Sequence, residues 1–450
     1  MSSKPNSMNV YARWRPLPDS DAGHSEISHS VSSTTPESLL SVSVTSSASS
    51  PKDSGWKSSP AFTAVLGPGD DNAKAYETIV APAIPNVLQG GSCSFFAYGH
   101  SGSGKTHTIV GYDYEDSKQL GLCLAAAKRL FDALESLNGG LPIEKQLGIG
   151  FSLFELRKNT AFDLLNGRAE CHIREGYDGR THIRGETEKL EGGEVRVRPI
   201  VKRPCWNFEN LRRELIQAMG KRVVGSSSVH DLSSRTHAVL ELEIVNQDLV
   251  DAREVVVQRQ SELVPVGKRA DDVLIEEQTK AAIRTTDGSW KPNPDYQVDQ
   301  ERVDKALAEK AVFEARVADA EKGVDSALSS SSSPCLGAKV VFVDLAGAEY
   351  HTEKSSKMPM LKQTPKERQE GRQINTDLLA LKEVIRAWST SQARIPFRSS
   401  PLTMVLRDHF VRSAEKGSSS MIVTVSPERG QYAATLNSLK YGSLVGAVKA

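Results

Sequence analysis

Cysteine is scarce, with five in 450 residues (Cys93, Cys123, Cys171, Cys205 and Cys335), and none sits in a CxxC or Cys/His pair at ligand spacing. That excludes a disulfide framework and a cysteine-held metal, and leaves reduced structural thiols. Charge of one sign is also lacking: 56 Lys+Arg balance 56 Asp+Glu, which argues against a general polyanion binder, so no nucleic-acid partner is expected. Long apolar runs are absent too. Nothing approaches the ~18 residues a membrane-spanning helix needs. Met1 is followed by SSKPNS instead of a basic and then apolar stretch, so no secretory signal is expected and the cytoplasm is the default location.

What is present divides unevenly. Ser20 to Pro60 is dominated by Ser and Thr, a composition too poor in apolar area to offset its ordering entropy, and it predicts a disordered loop over 20–60. A second departure, 246–337, follows the alternating segment VLELEIV and ends in a run of serines before KVVFVDL. Within it, Val303, Ala306, Phe313, Val317, Ala320, Val324 and Ala327 recur at near-helical spacing and predict a helix over 297–328. That helix is either a solvated amphipathic one or a contact for a protein partner. Elsewhere strand-like and helix-like segments alternate. NVYARWRP reads as a strand with Val10, Ala12 and Trp14 on one face, and SCSFFAYG and KVVFVDLAG read as buried strands running into glycine loops. Alternation of this kind predicts an α/β sheet with helices on both faces and a ligand site at the carboxyl ends of its strands.

Gly99-His100-Ser101-Gly102-Ser103-Gly104-Lys105-Thr106 matches GxxxxGK[ST] in full, after a hydrophobic strand and before a segment able to start a helix. The glycines let successive N–H groups turn inward on phosphate oxygens. Lys105 is suited to the β/γ oxygens, and the Thr106 hydroxyl to Mg²⁺. The loop therefore predicts nucleoside triphosphate binding.

Two further segments, SSVHDLSSRTH (Ser227 to His237) and DLAGAE (Asp344 to Glu349), end strand-like stretches. With the loop they resemble the kinesin motor domain, whose first switch reads NxxSSRSH and second DLAGSE. The resemblance runs over nearly the whole chain: ARWRP near the start, LFELRKNTAFDLL, HIRE, KERQEGRQINTDLLALKEVI, IPFRSSPLTMVLRDHF and ATLNSLKYG each match an ordered family segment. It implies a P-loop NTPase fold over 8–450, interrupted by the two atypical stretches, and an ATPase that moves on microtubules. By the same resemblance ATP and Mg²⁺ are the cofactors, tubulin is the partner, and the location is the cytoskeleton. Arg13, Arg15, Pro16 and His107 would flank the base, with 99–106 on the phosphates. Thr106, Ser234 and, through water, Asp344 would hold Mg²⁺. Ser233, Arg235, Gly347 and Glu349 would form the hydrolytic set.

Five positions depart from the family pattern: His230 for Asn, Thr236 for Ser, Ala348 for Ser, Pro401 for Lys and Met404 where a basic residue is common. They predict slower or pH-sensitive hydrolysis and weaker track binding, and motivate an alternative reading as a nucleotide-binding scaffold on microtubules. A non-motor P-loop enzyme is a remoter alternative, and no NKxD guanine signature occurs. The stretch from Lys354 to Arg412 carries 12 Lys+Arg against 5 Asp+Glu, the right sign for an acidic filament. Its expected filament-facing residues are Lys366, Arg368, Arg372, Lys382, Arg394, Arg398 and Arg407. The 246–337 stretch is acidic, with 12 Lys+Arg against 18 Asp+Glu, and reads as a tolerated surface insertion, with competition for that basic face as the alternative. No dimerising stalk is expected within these residues.

Overall fold

The computed structural model describes residues 8–17, 27–33, 35, 38–45, 55–176, 181–189, 195–222, 235–284, 288–348 and 365–447. Strand β1 (Met8–Trp14) opens the central sheet. Next, β2 (Ser28–Ser32), β3 (Ser41–Thr45) and β4 (Trp56–Lys57) form a separate antiparallel sheet, and β5 (Ala64–Leu66) returns to pair with β1. Helices α1 (Asn72–Ile79) and α2 (Ile84–Val87) lead to β6 (Cys93–Tyr98), whose end turns into α3 (Lys105–Ile109). After α4 (Leu122–Asn138), the strands β7 (Gly148–Arg157), β8 (Thr160–Asp163), β9 (Ala169–Glu175), β10 (Thr181–Lys189) and β11 (Val195–Pro199) run as antiparallel neighbours. The short β12 (Arg203–Cys205) pairs with β7, and α5 (Phe208–Met219) precedes β13 (His237–Val245).

From β13 the chain leaves the sheet through α6 (Gln247–Lys280), a ribbon of β14 (Ala282–Arg284) and β15 (Trp290–Pro292), and α7 (Gln300–Ser329). It re-enters at β16 (Lys339–Asp344), then passes through α8 (Pro365–Ser389), α9 (Pro401–Lys416), β17 (Ser418–Val425) and α10 (Tyr432–Gly446). The sheet order β11-β10-β9-β8-β7-β13-β16-β6-β17-β1-β5 is antiparallel from β11 to β16 and parallel from β16 to β5.

All six residues of β6 are buried, as a strand covered on both faces requires. Alternation sends neighbours to opposite layers: Phe95 stacks on Phe342 at 5.3 Å on one face, and Phe96 on Phe410 at 5.3 Å on the other. Leu122 and Leu130 of α4 and Leu211 of α5 fill the first layer. Leu381 of α8, Phe410 of α9 and Val445 of α10 fill the second.

The serine-rich stretch corrects the expectation of disorder wherever it is described. Its serines alternate with apolar residues, and that period of two buries Val42 and Val44 against Phe62 and Ile27 while the strands pair. His29 of β2 stacks on Trp14 at 4.0 Å. The helix expected over 297–328 forms as α7, and its partner is inside the chain. Arg302 pairs with Glu276, Arg269 with Glu309 and Lys310 with Asp271, a register that makes α6 and α7 an antiparallel hairpin. The root of the hairpin packs into the first core layer through Leu249, Val324 and Leu328, whereas α8 and α9 belong to the second. The acidic hairpin is therefore rooted across the sheet from the basic segment that competition would have it cover.

Candidate nucleotide site

The loop between β6 and α3 turns back where Gly102 (φ 74°) and Gly104 (φ 100°) adopt left-handed backbone that a Cβ would strain. Close approach matters as much. A Cβ on Gly99 would lie 2.3 Å from the Thr424 carbonyl oxygen, and one on Gly347 would lie 2.7 Å from the Ser101 backbone. The segment after β16 thus rests directly on the loop, and the Ala348 N–H donates to the Gly99 carbonyl at 3.2 Å. A cleft of about 290 Å³ opens beside this contact. Ser101, Gly102, Gly104, Lys105 and Thr106 form one wall, Arg15, Pro16, His107 and Tyr112 another, and Gly347 closes it.

Beneath the cleft lies buried charge. Thr106 Oγ1 donates to Asp344 Oδ2 at 2.8 Å, and Arg222 Nη1 reaches the same oxygen at 2.6 Å while Nη2 donates to the Thr236 carbonyl at 3.0 Å. Asp344 Oδ1 is buried with no hydrogen-bond partner. Lys105 Nζ folds onto the carbonyls of Gly99 and His100 at 3.1 and 2.8 Å. Burial is the main force pushing its ammonium down to about 8, with Asp344 opposing and Arg222 adding to the shift. A hydroxyl beside an under-satisfied carboxylate is a hard oxygen donor set, which fits a divalent cation such as Mg²⁺.

Other expected residues stand behind the cleft. Arg13 Nη1 donates to Thr108 Oγ1 at 3.0 Å, and burial lowers its guanidinium to about 10. The His100 ring turns to its neighbour's carbonyl and toward Thr435, and Ser103 bonds Thr424 at 2.7 Å. These three brace the loop, while Arg15 is held at the rim by Glu428 and Ser426, each at 3.2 Å. Ser233, Ser234, Glu349 and the departure His230 lie outside the described residues. Arg235 is described and half-buried, just ahead of β13. Beside it, Thr236 donates to Glu155 at 3.0 Å, and His237 Nδ1 accepts the Ala346 N–H at 3.1 Å.

On α8, Arg368 and Arg372 are exposed, whereas Lys382 turns in over the Tyr441 ring at 5.5 Å. Arg394 is exposed beyond the helix end, and the Lys366 side chain lies outside the described set. Arg398 forms a two-pronged pair with Glu175, both bonds 2.8 Å, and Arg407 approaches the same carboxylate at 3.4 Å. Pro401 opens α9 at the position where a missing N–H costs nothing. Ser400 and Thr403 cap that turn reciprocally, at 3.0 and 3.2 Å.

Sequence reasoning missed Tyr112 and Arg222. No motif contains either, and Arg222 meets Asp344 across 122 positions of sequence. The only available signal was that Arg222 closes a helix-like segment ahead of the SSR motif.

The sequence model of the family described as "Kinesin motor domain" matches residues 13–266 and 310–448. The Kinesin-like protein KIN-13A of Oryza sativa subsp. japonica is 28% identical over 85% of this chain and 34% of its own length. The human Kinesin-like protein KIF24 is 26% identical over 86% of this chain and 20% of its length. The chain thus spans a fifth to a third of these relatives. Among solved structures, a KIF14 dimer in its two-heads-bound AMP-PNP state on a microtubule is similar in fold, with a TM-score of 0.58 at 18% identity, covering 98% of this chain and 94% of that one.

Proposed function

The chain belongs to the kinesin motor domain family, and from that premise we propose that it is an ATP-dependent microtubule motor domain, in which closure of the two switch segments over ATP sets filament affinity. The observation that carries the reading is Asp344: a buried carboxylate with one oxygen unpartnered, beside the Thr106 hydroxyl and directly beneath a full phosphate loop.

Loop N–H groups hold the phosphates, and Lys105 swings from the Gly99 and His100 carbonyls onto them. Thr106, Ser234 and, through water, Asp344 would hold Mg²⁺, which when bound would supply positive charge against the phosphates. Asp344 Oδ1, which has no partner, is the oxygen open to that water while Oδ2 stays with Arg222. Gly347, already against Ser101, is placed to offer its N–H to the terminal phosphate. Ser233, Arg235 and Glu349 position the attacking water. The filament meets α8 and the start of α9 through Arg368, Arg372, Arg394 and Arg398, and the protein works on cytoplasmic microtubules.

The test is ATP turnover with and without microtubules, together with co-sedimentation in AMP-PNP and in ADP. Stimulated turnover and tighter binding in AMP-PNP support the motor. Binding without stimulation favours the scaffold reading, which the Lys105–carbonyl contacts also motivate, since they must break for a ligand. Neither result would leave a non-motor P-loop enzyme. Arg235→Ala is expected to retain ATP binding while turnover falls about 100-fold or more, because it removes a member of the set that positions the attacking water.

A further inference from the structure

His237, the first residue of β13, is 3% exposed and neutral. Burial drives its imidazole down to about 3, with Asp344 opposing and Arg222 and Lys105 adding to the effect. Its Nδ1 accepts the Ala346 N–H, so the ring proton sits on Nε2. That Nε2 is buried with no hydrogen-bond partner. Across from it, 4.0 Å away, is Oδ2 of Asp377 on α8, a carboxylate itself 3% exposed. The groups facing Asp377 are His237 from β13, Gln373 of α8 itself, donating to Oδ1 at 3.1 Å, and the Ser400 hydroxyl from the turn before α9.

A buried N–H without an acceptor and a buried carboxylate, one on β13 and the other on α8, stand about 1 Å beyond hydrogen-bonding distance. We propose that His237 and Asp377 form a two-position joint between the segment that closes on the phosphate loop and α8. The imidazole N–H bonds the carboxylate in one position and stands off it, as here, in the other.

The joint rests on the nucleotide reading of the cleft, and its connections are short. Gly347 lines the cleft, its neighbour Ala346 holds Nδ1, and the opposite side of the same ring faces α8. A ring cannot bend, so displacement of Ala346 toward bound phosphate carries Nε2 with it. Asp377 then determines whether α8 follows, and α8 presents Arg368 and Arg372 to solvent. Both are positioning residues, because neither touches the cleft.

The test places nitroxides on Leu379→Cys, exposed on α8, and Ser136→Cys, exposed on α4, in the full chain, whose five native cysteines are buried. Label distances are measured with and without AMP-PNP, and mant-ADP affinity is followed in parallel. The parent is expected to show a nucleotide-dependent change in distance. Asp377→Asn, whose amide oxygen still accepts, should keep it, and Asp377→Ala should lose it, both with parental mant-ADP affinity. Burial raises the Asp377 carboxyl to about 6. Protonation leaves a carbonyl oxygen that still accepts, so lowering the pH from about 7.5 to about 5 should leave the shift in place in both the parent and Asp377→Asn. A change that survives in Asp377→Ala, or one that is lost in Asp377→Asn, overturns the joint. If Asp377→Ala does not fold, Asp377→Leu, close in size and without an acceptor, takes its place. Absence of mant-ADP binding by the parent refutes the cleft reading and the joint with it, whereas binding without movement of α8 refutes the joint only.

Discussion

Two clusters of buried charge sit at opposite ends of the β13–β16 pair, and they are finished to different degrees. At the end where β13 enters the hairpin, Lys202 bonds both Glu241 and Glu243, Arg253 takes both oxygens of Glu243 at 3.0 and 2.7 Å, and Lys339 reaches Glu241 at 2.9 Å. Burial alone would raise these carboxyls. The surrounding cations prevail and hold Glu243 at about 2 and Glu241 well below its usual range. At the other end, Asp344 keeps an unpartnered oxygen, Lys105 is pushed down instead of up, and the His237 Nε2 has no acceptor. Burial of charge is thus common to a structural joint and a binding site. The unmet valence distinguishes them, since the protein alone leaves it unsatisfied and a ligand can complete it.

Substitutions should separate the two ends. The largest effect is expected from Glu243→Gln, which takes the carboxylate from Arg253, leaves Lys202 to Glu241 alone and should cost about 2–3 kcal/mol in urea unfolding. Its nucleotide affinity should stay within about two-fold, because the site is at the far end of the strand. Loss of nucleotide binding in that variant would erase the distinction. Lys105→Ala is expected to reverse the pattern. Its nucleotide affinity, read by calorimetry, falls about 10- to 100-fold, while the urea midpoint is not lowered, because a desolvated ammonium has been removed. Acid adds a third contrast. Glu243 has its folded-state pKa depressed, so the stability it contributes is present above its ordinary 4.5 and is lost as the pH falls toward 2. A urea-midpoint series over that window should slope in the parent and flatten in Glu243→Gln. The smallest effect is expected from trimming the hairpin to its root. Because that root lies across the sheet from α8 and α9, microtubule affinity should stay within about two-fold, and clear tightening would restore competition between the acidic hairpin and the basic face.

Much of the fold and the loop of the site could be read before any coordinates, because they are written locally. The buried run of β6, the glycines that follow it, the SSRTH motif that leads into β13 and the DLAGA motif that closes β16 each declare themselves within about ten residues. What failed to declare itself depends on distance. Arg222 belongs to no pattern until folding delivers it to Asp344, and Tyr112 gains meaning only as a cleft wall. The serine-rich stretch misled because composition was weighed above periodicity, when Val42 and Val44 already alternated. The apolar stripe of α7 was legible, but its partner α6 was not, since Pro265 and scattered polar residues weaken the helical repeat there.

The hairpin has one more consequence, for imaging. With 34 residues at about 1.5 Å of rise each, α6 is a rod about 50 Å long, and α7 runs back beside it. Paired rods of that length register as density at resolutions where sheet strands blur together. A filament decorated with this chain would therefore carry a built-in pointer, from which the hand and polarity of each bound subunit can be read directly.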